Sequence, residues 1–169
     1  MIAGIFDEFF GVPTHPLAVH APVVLIPLLA VVSVAVLFRS SWRERASVAL
    51  AASALVMVAM LFVTKESGQA LKGSETPLFG TQDMLDRHED LGTQSFILAI
   101  VWFGLAAAAA IASVVRGRGP ARSLSAGAAS IGTDPVVLVL NTLAAVVVVV
   151  CTVWLFRTGH AGAEMRWPT

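Results

Sequence analysis

Residues 134–157 read D-PVVLVLNTLAAVVVVVCTVWLF-R, an apolar run fenced by one acid and one base. No charge falls between Asp134 and Arg157. A helix needs roughly 20 such residues to cross about 30 Å of hydrocarbon. Lipid offers the backbone no partner, so a crossing run of this kind must satisfy its own amides as a helix. Three more charge-free stretches match it, at 17–38, 46–64 and 91–115. The sequence therefore predicts an all-α fold, an integral membrane four-helix bundle that forms one transmembrane domain over 1–169.

Composition agrees. Of 169 residues, 57% are apolar and 13% charged, against about 25% charged in ordinary soluble domains. This excludes a disordered chain, a disulfide scaffold and a nucleic-acid binder. The single cysteine, Cys151, lies inside an apolar run and leaves no intrachain disulfide or cysteine metal cage.

The connections predict orientation. Segments 39–45 and 116–134 hold six arginines against Glu44 and Asp134, a net +4. The termini and segment 65–90 hold five basic and nine acidic residues, a net −4. Positive-inside asymmetry then places 39–45 and 116–134 in the cytoplasm. Both termini and the loop 65–90 face the outer side of a bacterial cell (inner) membrane. No basic residue precedes the first span, so it does not read as a cleaved signal peptide. Ile2, Ile5, Phe6, Phe9 and Phe10, around Asp7 and Glu8, read as a short surface helix or a loose apolar tail.

Local signals refine the spans. Asp134-Pro135 is an N-cap followed by proline at the first helical position, and Thr14-His15-Pro16 reads the same way. Span two can continue through 65–73. Pro77 with Gly73 and Gly80 breaks the chain, and 83–90 leads helically into span three. Gly104, Ala108 and Ala112, with Ala49 and Ser53, read as small residues for close helix packing.

All four histidines, His15, His20, His88 and His160, fall at the predicted outer ends of the helices. Imidazole ligates haem iron, copper and zinc, and a bundle core is a normal place to gather such ligands. His15 and His20 lie five apart, about 140° around a helix, and do not share a face. Pro22 and Pro27 deprive the carbonyls of Ala18 and Val23 of helical partners, and a kink there would tilt His20 inward. Glu66, Glu89, Arg157 and Asn141 are the outlying polar groups of such a site. Asn141 also suits an interhelical hydrogen bond. Nothing resembles a phosphate loop, a nucleophile elbow, a haem-attachment motif or a zincin helix.

Four ordered segments carry a resemblance. Gly11-Val12-Pro13-Thr14-His15-Pro16-Leu17-Ala18-Val19-His20, Ser67-Gly68-Gln69-Ala70-Leu71, His88-Glu89-Asp90-Leu91-Gly92 and Arg157-Thr158-Gly159-His160-Ala161-Gly162-Ala163 resemble segments of a bacterial membrane family known as domain of unknown function twenty-two thirty-one. Gln69 stands where that family has glutamate. The resemblance implies a four-helix membrane protein, some relatives of which are joined to Rieske iron–sulfur domains. It thus points to a respiratory-chain or Rieske-type redox partner beside the lipid bilayer.

Three functional readings follow. The first is a redox protein holding haem b, with His20 and His88 as foremost ligands and His15 and His160 as alternates. The second is a copper or zinc site of three or four imidazoles drawn from the same residues. The third is a structural accessory subunit of a larger membrane complex.

Overall fold

The computed structural model describes residues 6, 8–39, 42–73, 80–117 and 134–167. Four long helices carry the fold: α1 (Thr14–Leu37), α2 (Arg43–Gly73), α3 (Gln82–Gly117) and α4 (Pro135–Arg166). Each contains a stretch long and apolar enough to span a membrane. Neighbours around the bundle are α1–α2, α2–α3, α3–α4 and α4–α1, so α1 stands diagonally across from α3.

Helices α2 and α3 outrun the predicted spans at the end where their polar residues lie. α2 continues through Lys65–Lys72, and α3 begins at Gln82, as the expected helical lead requires. Residues 74–79 and 118–133, including the predicted break at Pro77, lie outside the described residues.

Before α1, Glu8–Phe9 (β1) pairs antiparallel with Val12–Pro13 (β2). Phe10 and Gly11 turn the chain at φ 53° and 75°. This corrects the surface-helix expectation where it covers Glu8, Phe9 and Phe10. A two-residue turn with both φ values positive closes a hairpin, and glycine adopts that conformation without steric cost. Ile2, Ile5 and Asp7 lie outside the described residues. Thr14 is likewise not a cap, because it already belongs to the helix and Pro13 precedes it without a side-chain cap.

The core is a seam of small and large apolar residues around the fully buried Trp102. On α3 the inward row is Ala99, Trp102, Ala106 and Ala109, with Ser113 one turn further on. The expected packing row is corrected: Gly104 is exposed, and a Cβ added there would meet nothing within 4 Å. Residue 104 sits about 200° around the helix from Trp102, so the ring turned to the core carries position 104 away from it. Buried hydroxyls of Ser33, Ser95 and Ser113 donate to carbonyls four residues back in their own helices, at 2.7–2.9 Å. Asn141 crosses between helices, donating to Ser47 Oγ at 3.1 Å and to Val137 O at 2.8 Å. It is a packing contact about 20 residues from the histidine end of α4, not part of a site there.

Asp134 caps α4 as predicted, accepting from the amides of Val136 and Val137 at 2.9 and 3.2 Å. The Arg116 guanidinium reaches both of its oxygens, at 2.6 and 2.7 Å, and holds its carboxyl below the usual aspartate range. A depressed carboxyl stabilises the fold above its unfolded pKa and loses that contribution as pH falls through the folded value. Asp134→Asn is expected to keep the cap and lose the ion pair. Asp134→Ala is expected to lose both and to unfold at the lower temperature of the two. Thermal melts in detergent at neutral pH check the order, and melts in acid should narrow the gap between wild type and Asp134→Asn.

Candidate functional site at the histidine end

At one end of the bundle a cavity of about 190 Å³ opens among all four helices. Its deeper wall is apolar (Val19, Val23, Leu61, Leu155), and two imidazoles, His15 from α1 and His88 from α3, stand in its lining. Their ring centres lie 6.3 Å apart and the ring planes are nearly perpendicular, at 87°.

Each imidazole is fixed by the helix beside it. His15 Nδ1 sits 2.9 Å from the carbonyl oxygen of Thr64 on α2. His88 Nδ1 sits 2.9 Å from the carbonyl oxygen of Thr158 on α4. A carbonyl can only accept, so both Nδ1 atoms carry the proton. In the neutral ring that leaves Nε2 as a lone-pair donor. The Ser67 hydroxyl donates to the same Thr64 carbonyl at 2.9 Å. Ser95 and Thr158 hydroxyls meet at 3.3 Å beside the His88 contact. Hydrogen bonds of this kind fix an imidazole's tautomer and orientation for a metal.

The two halves share a device. A helical carbonyl is normally screened by the side chain four residues on, because side chains tilt toward the helix N-terminus. Four residues after Thr64 stands Gly68, and four after Thr158 stands Gly162. A Cβ on Gly68 would lie 3.1 Å from His15 Cε1, and one on Gly162 would lie 3.1 Å from His88 Cε1. Glycine thus uncovers each carbonyl and makes room for the ring bonded to it. This repeated Thr-x-x-x-Gly spacing is the signal that sequence reading missed.

The other expected residues stand elsewhere. His20 is exposed, and its Nδ1 turns back to the Pro16 carbonyl of its own helix. Pro22 and Pro27 both lie inside α1, and Pro22 lines the cavity, but His20 does not. The roughly 140° between positions 15 and 20 sends the second ring outward. His160 is also exposed, with Nε2 3.2 Å from Glu164 Oε1. It lies about 200° from Thr158, on the far side of α4. Among the described residues, no group of three or more His, Cys, Asp or Glu side chains is placed to hold a metal.

Of the outlying polar groups, Glu89 lines the cavity and is paired with Lys72 at 2.9 Å across α2 and α3. Asp86 stands 3.6 Å from the same ammonium. Glu66 is half-buried and lies outside the cavity lining. Arg157 lies over the Trp154 ring at 4.9 Å, and that indole donates to Gln94 at 2.6 Å. Arg39 lies over Trp42 in the same way at the opposite end, at 5.0 Å. Tryptophan and arginine at both ends suit the two membrane–water interfaces, where an amphipathic ring and a long cation settle.

The family model of a predicted membrane protein, DUF2231, matches residues 11–169. The chain belongs to this family of integral membrane proteins. No curated protein and no solved structure matches it.

Proposed function

We propose that the chain is a membrane redox carrier that holds a b-type haem between His15 and His88. The observation that carries this reading is the imidazole pair itself, with ring centres 6.3 Å apart. Metal–nitrogen bonds of about 2.0–2.1 Å on either side of one ion place two imidazole centres roughly 6 Å apart. The ligands come from diagonal helices, and both rings keep Nε2 free while Nδ1 is tied to a carbonyl. Bis-imidazole ligation is a recognised way for a helical bundle to tune haem iron for electron transfer. The macrocycle is wider than this cavity, so its edges would lie between helices, where Gly92 and Gly159 line the wall without side chains.

The charge asymmetry favours a site at the outer face of a bacterial inner membrane, with the arginine-rich loops in the cytoplasm. The link to Rieske domains that the sequence resemblance implies favours a respiratory partner.

A second reading takes the same pair to hold a single copper ion without a macrocycle. The small cavity volume, about 190 Å³, favours it. Metal analysis separates the two, because copper would persist through dialysis without a porphyrin spectrum.

The experiment compares haem content in histidine variants. His20→Ala and His160→Ala are expected to retain wild-type haem and an unchanged spectrum. Loss of the spectrum in His20→Ala, with His15→Ala unaffected, would reverse the assignment.

A further inference from the structure

We infer that Lys65 supplies the counter-charge for a carboxylate on the ligand held between His15 and His88. The ligand class is thus an apolar body with an acidic rim substituent, such as a porphyrin propionate. This rests on the proposed histidine site.

Lys65 follows Thr64, whose carbonyl fixes His15, and its side chain lines the cavity while half-buried. It stands directly beyond the charge-free run 46–64. A cation at that depth needs water or an opposite charge. Among the described residues it makes no hydrogen bond or ion pair. Its helical neighbours at three and four residues' distance, Leu61, Phe62, Gly68 and Gln69, include no acid. The other cavity lysine, Lys72, is already engaged by Glu89 and Asp86. Below Lys65 the wall is the apolar set Val19, Val23, Leu61 and Leu155. The cavity therefore presents an apolar floor, two imidazoles and one uncommitted positive charge. A bare metal ion would be repelled by that charge, whereas an acidic amphiphile would be matched by it.

The test titrates the full-length detergent-solubilised protein, stripped of haem, with haem b and with its dimethyl ester, in which both carboxylates are neutral. Wild type is expected to bind the free acid about tenfold more tightly than the ester, a difference of about 1.4 kcal/mol. Lys65→Gln is expected to bind the two alike, and Lys65→Arg to keep the preference. The ratio is measured within one variant, so any loss of folded protein cancels. An undiminished preference in Lys65→Gln, or none in wild type, overturns the inference while leaving the histidine site standing. Failure of wild type to bind either form overturns both.

Discussion

Gly162→Val is expected to weaken haem binding at the histidine site about tenfold or more while leaving the four-helix bundle folded. A Cβ at this position would lie 3.1 Å from His88 Cε1 and 3.3 Å from Nδ1. The valine methyls add to that clash and screen the Thr158 carbonyl that His88 needs. Overpacking of this kind costs about 1–3 kcal/mol, offset by less than about 1 kcal/mol from replacing glycine inside a helix. The ring can escape into the cavity, so most of the cost falls on the site rather than the fold. Haem affinity should drop about tenfold or more, each 1.4 kcal/mol being tenfold. Gly68→Val should do the same through His15, whose ring lies equally close. Gly104→Val is the control, because nothing stands within 4 Å of its added Cβ. Haem retained at wild-type affinity in both site variants would contradict the geometry described here.

His15→Ala and His88→Ala are expected to have the largest effect on binding. Each removes one of the two imidazoles proposed to hold the haem and leaves a carbonyl that remains in its own helix ladder, so the fold loses little. Removal of outer-sphere partners alone costs about 10–100-fold in metal affinity, and loss of a ligand should cost more than about 100-fold. Each single variant should lose the haem spectrum predicted for the wild type, and the double variant should bind no haem. Spectral titration with haem checks this, with circular dichroism to confirm retained helix.

Much of the fold was legible because membrane burial writes itself as length without charge. The four spans, the extension of α2 past Thr64 and the start of α3 before His88 follow from that rule and from helix punctuation. Asp134 was readable as a cap because its chemistry is local. The hairpin at 8–13 was not, because apolar residues around an acidic pair suit a surface helix equally well. The row Gly104–Ala108–Ala112 misled because spacing fixes which residues share a face, but not which face meets a neighbour. Trp102 decides that, and its ring carries the inward direction to the row of Ala99 and Ala106.

The site was half legible. That all histidines gather at one end follows from topology. That His15 rather than His20 meets His88 depends on how α1 is rotated, and on α1 and α3 being diagonal. Neither is encoded in the spacing of the histidines. The glycines at 68 and 162 carry the missing information, each placed four residues after the carbonyl that an imidazole reaches.

The reduced-minus-oxidised absorption spectrum of protein purified in detergent from haem-replete cells tests the central claim most directly. A sharp α band with a shifted Soret peak, lost in His15→Ala and His88→Ala and kept in His20→Ala, is the predicted result. A flat spectrum from folded, helical protein that also takes up no added haem would contradict it.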